Sequence, residues 1–247
     1  ALTLACGLQA QAPAPPEDPH QWLEGVTDPK ALEWVKARNA DALKELAVDP
    51  TFEPLKADLL KVLDSTARIP FITKHGAFYY NFWRDARNPK GLWRRTTLTE
   101  YRKAEPRWEV ILDLDKLGAE EHESWVWKGA EILKAGGHRH ALIALSRGGA
   151  DATVTREFDL RTRSFVKEGF NLPEAKGGAT WIDRDTVFVS TDFGPGSMTT
   201  SGYPRIAKRW KRGTPLASAE VIYEGQATDL SISARHDDAK GFERDLV

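Results

Sequence analysis

From Ile69 onward the chain is a succession of short aromatic and β-branched runs, each cut off by Gly, Pro, Asp or Arg before it is long enough to make a helix. That punctuation leaves room for little besides short strands and tight turns. Gly and Pro break helices, and β-branched and aromatic side chains pack best on a pleated surface. Strands are predicted over 77–83, 92–98, 108–114, 124–127, 140–145, 153–159, 164–167, 179–182, 186–191, 205–210 and 220–223.

Two of these runs end alike. VILDLDKL at 110–117 and REFDLRTR at 156–163 lie about one unit apart on the roughly 40 to 50 residue period of propeller repeats. Propellers close with roughly four to eight four-stranded blades, whereas residues 67–247 provide about three to four at that period. The expected fold is therefore mainly β, an incomplete β-propeller over 67–247.

Residues 22–66 read differently. Asp28 precedes Pro29, an N-cap followed by the residue best suited to the first helical position, and Leu32, Val35, Leu43 and Leu46 follow at broadly helical spacing. A second helix is predicted over 52–63, after the Asp49-Pro50 break. Together they form a helical preface to the β region, and its apolar positions at Trp22, Trp34 and Leu43 need a partner.

The first twelve residues, ALTLACGLQAQA, resemble the tail of a secretory signal ending in the small-x-small pattern Ala10-Gln11-Ala12, so export to a periplasmic or extracellular compartment is expected. Cleavage there would remove Cys6, the single cysteine, and with it any disulfide scaffold or thiol nucleophile. Residues 13–21 follow as a stiff Pro-rich leader. The apolar run is too short to span a bilayer. The single methionine is Met198, so Ala1 is not an initiator, and the close on GFERDLV is that of a chain cut within a structure; the expectation is a fragment. A net charge of −1 with 29% charged residues describes an ordinary globular protein and implies no nucleic-acid partner.

Candidate chemistry is sparse. Ser197 in GPGSMTTSG lacks the lysine of a phosphate-binding loop and reads as an inter-strand turn. His138 and His140 would share one strand face, but two ligands do not make a metal site. Glu120, Glu121 and Glu123 beside Trp125 and Trp127 read as a solvated turn rather than a glycosidase pair. Lys208, Arg209, Lys211 and Arg212 around Trp210 read as a solvated strand face with the tryptophan turned toward a neighbouring blade. No catalytic, cofactor-binding or metal-binding position is assigned.

Several separated segments carry a family likeness. DPHQWLE at 18–24 with EWVKARNA at 33–40, FYYNFWRDARNPKGLWRRTTL at 78–98 and TDFGPGSMTTSGYPRIAKRWKRGTPL at 191–216 resemble, in order and spacing, the N-terminal and propeller portion of prolyl oligopeptidase (S9 family) serine peptidases. His20 stands where that family usually has another aromatic residue. The resemblance implies part of a seven-bladed propeller that gates access of short peptides to a C-terminal α/β-hydrolase domain, against which the preface packs. It also implies that the Ser-Asp-His triad lies in that domain. No G-x-S-x-G elbow followed by an acid and a histidine occurs in this sequence. The competing expectation is a standalone propeller-like binding module without catalysis.

Overall fold

The computed structural model describes residues 18–25 and 27–247, and it divides into two compact units at Leu63/Asp64. The signal-like residues 1–12, Cys6 among them, and the leader as far as Glu17 lie outside the described residues.

In the first unit a single 3-10 turn, Gln21–Glu24, precedes α1, Pro29–Leu46. The Asp28 carboxylate accepts from the backbone N–H groups of Lys30 and Ala31 at 2.7 and 3.2 Å, the N-cap read from sequence. Trp22 meets Trp34 edge-on at 6.2 Å and Lys30 lies over the Trp22 ring at 4.4 Å, while α2, Phe52–Asp64, buries no side chain fully. Leu43, Leu46, Leu55, Leu59, Leu60 and Leu63 are all exposed.

The second unit is a run of antiparallel sheets, each built from strands consecutive in the chain. The first comprises β1 (Thr73–His75), β2 (Phe78–Asp85), β3 (Asn88–Thr97) and β4 (Glu109–Asp113). A short helix α3, Leu98–Tyr101, interrupts the path from β3 to β4, and α4, Leu114–Glu121, follows β4. The second sheet comprises β5 (Trp125–Ile132), β6 (His140–Arg147) and β7 (Thr153–Asp159), with β8 (Ser164–Phe165) and β9 (Asn171–Ala175) both paired to β7. The third comprises β10 (Gly178–Asp183), β11 (Thr186–Ser190), β12 (Ile206–Lys211) and β13 (Glu220–Glu224). β14 (Arg235–Asp237) and β15 (Arg244–Leu246) pair as the last ladder, and the sheets do not close into a ring.

The sequence pattern explains why such sheets stack face to face. Successive side chains of a strand point to opposite faces, and the middle strands are apolar on both. In β6, Ala141, Ile143 and Leu145 join a core with Trp93, Ile111 and Leu114 of the first sheet and its helix, while Leu142 joins Trp181, Val187 and Val189 of the third. In β11 the alternation repeats: Val187 and Val189 face the second sheet, and Phe188 packs with Ala207 and Ala234 toward the last pair. Strands buried on both faces read as near-continuous apolar runs, as ALIAL and VFV do here. This is a mainly β, partial propeller with a short helical N-terminal segment, as the sequence leads one to expect.

Local expectations need correction. The two similar segments are not equivalent blade positions: residues 110–113 belong to the fourth strand of the first sheet, residues 156–159 to the third strand of the second. What they share is an aspartate that ends a strand by capping the next turn. Asp113 accepts from Lys116 N at 3.0 Å, and Asp159 from Arg161 N and Thr162 N at 2.8 and 3.2 Å. After Asp113 the chain becomes helix α4, so the expected strand 108–114 ends one residue early. β5 runs on to Ile132 because a bulge between Trp127 and Gly129 carries it past the expected stop at Trp127. β1, β9, β14 and β15 went unread, being too short or too polar to stand out.

Candidate functional site

The first strands of all the sheets bring their C-terminal ends to one cavity of about 490 Å³. His75 ends β1, Glu131 and Ile132 end β5, Trp181 and Ile182 lie near the end of β10, and His236 sits in β14. Lys134, from the turn after β5, and Asp238, just after β14, complete its polar lining.

Each titratable group here has a defined environment. Glu131 Oε1 accepts from the Trp181 backbone N–H at 3.0 Å while its carbonyl accepts from Trp181 Nε1 at 3.0 Å, so one residue of β5 holds both ends of a β10 tryptophan. Burial pushes the Glu131 carboxyl up, against the opposing pull of that N–H. Lys134 Nζ bonds Asp238, and this contact holds the Asp238 carboxyl below its usual range. His236 Nδ1 lies 2.8 Å from Asp245 Oδ1. The His75 ring meets Tyr80 edge-on at 5.6 Å and His138 at 6.3 Å. Burial lowers the His75 imidazole from its ordinary value, and the like charges of His138 and Lys134 push the same way.

A second polar cluster sits between the second and third sheets. Glu157 on β7 is completely buried. Its Oε2 accepts from Phe170 N at 2.9 Å and from Arg212 Nη1 at 2.8 Å, and its Oε1 accepts from Arg212 Nη2 at 3.1 Å. His140 Nδ1 approaches Oε1 to 2.9 Å but out of hydrogen-bonding alignment, so both ring nitrogens stay without a hydrogen bond among the described residues. The break between β8 and β9 falls at this carboxylate: Val166 N donates to Glu157 O, and Glu157 N to Phe170 O.

The residues singled out in the sequence fall elsewhere or into structural roles. Ser197 is buried, its hydroxyl donating toward Gly194 O at 2.7 Å and Asp192 Oδ1 at 3.1 Å and accepting from Phe193 N at 2.9 Å, which pins the loop between β11 and β12. His138 and His140 do not act together: His138, in the turn at φ 60°, faces His75, whereas His140 faces Glu157. Glu120 and Glu121 are not in a solvated turn but in the last turn of α4. Glu121 accepts from Trp125 Nε1 at 2.8 Å and from Arg156 at 2.9 and 3.0 Å, and Glu123 pairs with Arg147 at 2.8 Å. Trp210 does turn toward the neighbouring sheet, meeting Phe170 at 5.1 Å. The basic run around it is not wholly solvated, since Arg212 turns inward to Glu157. The cavity residues His75, Glu131, His236 and Asp238 were missed. Their one sequence signal is a charged or imidazole side chain at the end of an apolar run.

Among the described residues no group of three or more His, Cys, Asp or Glu is placed to hold a metal ion, and no helix is long and apolar enough to cross a membrane.

Comparison with known proteins gives a consistent result. The family model for the prolyl oligopeptidase N-terminal beta-propeller domain matches residues 9–241. The chain is 42% identical over 216 residues to an uncharacterized peptidase of Sinorhizobium fredii, covering 87% of this chain and 30% of that protein. It is 30% identical over 222 residues to an uncharacterized peptidase of Rickettsia prowazekii, covering 87% of this chain and 31% of that one. The solved structure of a post-proline cleaving enzyme from Rickettsia typhi superposes with a TM-score of 0.80 at 32% identity, over 87% of this chain and 32% of that chain. Oligopeptidase B from Leishmania major shares the fold, with a TM-score of 0.59 at 15% identity over 85% of this chain and 28% of that chain. The chain thus spans about a third of the length of the relatives it matches.

Proposed function

The chain belongs to the family of prolyl oligopeptidase N-terminal β-propeller domains, and from that premise we propose that it is the substrate-admitting part of an exported serine-type oligopeptidase. The whole protein hydrolyses short peptides, with proline on the acyl side of the cleaved bond as in the Rickettsia typhi enzyme's description. The observation that carries this reading is the convergence of the first strands of successive sheets on one cavity, within a chain that spans less than a third of its peptidase relatives.

In this division of labour a hydrolase part supplies the serine nucleophile, its histidine base and the oxyanion donors, and forms the acyl-enzyme. The propeller selects by size: a cavity of about 490 Å³ suits a short peptide and excludes a folded protein. The exposed leucines of α1 and α2 form apolar surface of the kind an adjoining domain covers. Export rests on the small-x-small pattern Ala10-Gln11-Ala12.

The test compares this chain with a longer product that includes the hydrolase part, on a blocked chromogenic peptide with proline at the cleaved bond. The longer protein is expected to hydrolyse it and to be silenced by a serine-directed phosphonate, while this chain alone is inactive. Inhibitor-sensitive hydrolysis by this chain alone, or a longer protein with no activity, overturns the reading. In the latter case a non-catalytic binding module replaces it.

A further inference from the structure

We propose that the cavity at the C-terminal ends of β1, β5, β10 and β14 is a carboxylate seat that holds the free C-terminal end of a peptide. The choice of a peptide rests on the peptidase reading above; the choice of a carboxylate rests on how the charges are placed.

Basic groups reach the cavity from three different sheets: His75 from the first, Lys134 from the second and His236 from the last pair, with His138 directly behind His75. Each acid that shares the space holds one partner through one of its oxygens. Glu131 Oε1 holds the Trp181 N–H. Asp238 is bonded by Lys134, which has three N–H donors and so keeps others free. Neither His75 nor His138 has a hydrogen-bond partner among the described residues, while His236 has Nδ1 committed to Asp245 and Nε2 left on its other side. Besides these, Tyr80 of β2 packs on His75. Donors brought to one space by three different sheets suit a small anion with two oxygens. The apolar side chains of Ile132, Trp181 and Ile182 in the same lining suit the carbon framework of a peptide rather than a bare inorganic ion.

Protons follow from this arrangement. Burial first, and then neighbouring positive charge, hold the His75 imidazole down, so a bound carboxylate makes that imidazole easier to protonate. By linkage, binding takes up protons and strengthens on mild acidification through the histidine range.

The experiment follows the histidine ring signals of the full chain by NMR while it is titrated with N-acetyl-trialanine, with its C-terminal amide, and with N-acetyl-Ala-Glu-Ala-amide, at about one pH unit either side of the ordinary imidazole value. The acid is expected to shift the His75 and His236 signals and to bind about tenfold more tightly than the amide, the worth of one charge-assisted hydrogen bond. That preference should be larger at the lower pH. It should shrink in His75→Gln and Lys134→Gln and be retained in Lys134→Arg. Equal binding of acid and amide, or no binding of either, overturns the proposal. Equally tight binding of the internal glutamate peptide overturns the assignment to a chain end. None of these outcomes touches the peptidase reading, which is judged on hydrolysis by the longer protein.

Discussion

Arg212, in the turn after β12, closes on the fully buried carboxylate of Glu157 on β7 with nitrogen–oxygen contacts of 2.8 and 3.1 Å, and so joins the third sheet to the second. Its guanidinium also lies 4.6 Å from the centre of the Phe170 ring, beside the break in the outer strand of the second sheet. A carboxylate as buried as that of Glu157 gains little from an ion pair over well-packed apolar contacts, but losing the partner leaves its charge uncompensated.

Arg212→Ala is therefore expected to lower unfolding stability by about 3–5 kcal/mol, read from denaturant midpoints at constant slope. The double variant Arg212→Ala/Glu157→Leu should recover much of that loss, because it removes the orphaned carboxylate as well. A loss below about 1 kcal/mol in the single variant would mean that the pair behaves like a surface salt bridge.

Gly177 tests the close approach of the chain before β10 to the end of β11. Its φ is +111°, and a Cβ there would meet Ser190 O at 2.1 Å and Pro204 Cγ at 2.8 Å. Gly213 has φ +74° but open space around it. Gly177→Ala should cost several times more stability than Gly213→Ala, whose cost is confined to the roughly 1 kcal/mol of placing alanine in the left-handed region. Equal losses in thermal melts would show that the β11–β12 loop yields easily.

The architecture was legible because its signal is local: ALIAL and VFV declare strands buried on both faces, and Asp28-Pro29 declares a helix start. α4 was not, since Asp113 caps a helix with the same chemistry by which Asp159 caps a turn, and the sequence does not say which continuation packs. The cavity was illegible for a different reason. His75, Lys134, Trp181 and His236 are brought together by the order of sheets, not by spacing along the chain, so no window of sequence contains the site. Nothing local sets Glu157 apart from Thr153 and Thr155, the polar residues at alternate positions of its strand, and only the covering of that face by the third sheet makes it a buried charge.

The exposed leucines of α2 make a separate prediction. Leu55, Leu59 and Leu63 are each more than half exposed on one helix face. Leu55→Gln/Leu59→Gln should leave the melting of the β unit unchanged and reduce binding of a hydrophobic dye and self-association in sedimentation, because these side chains bury little in this chain. A clear loss of β-unit stability would show that this face is packed in solution.

Asp159 should make the fold acid-sensitive in a defined window. Burial would raise its carboxyl, but Arg139, at 2.8 Å through Nε and 2.6 Å through Nη2, and the N–H groups of Arg161 and Thr162 outweigh that and hold it at about 2. A carboxyl depressed in the folded state binds fewer protons there than in the unfolded chain, so its contribution is fully present above the ordinary 3.8 and is lost as pH falls through about 2. Glu100, held at about 2 by Arg107 and Lys103, adds to the same limb. Asp159→Asn should thus be less stable than the native chain at neutral pH and lose less on further acidification, so that the two stability curves converge toward pH 2. Parallel curves in denaturant titrations across that range would show that the carboxyl keeps its ordinary affinity for protons despite Arg139.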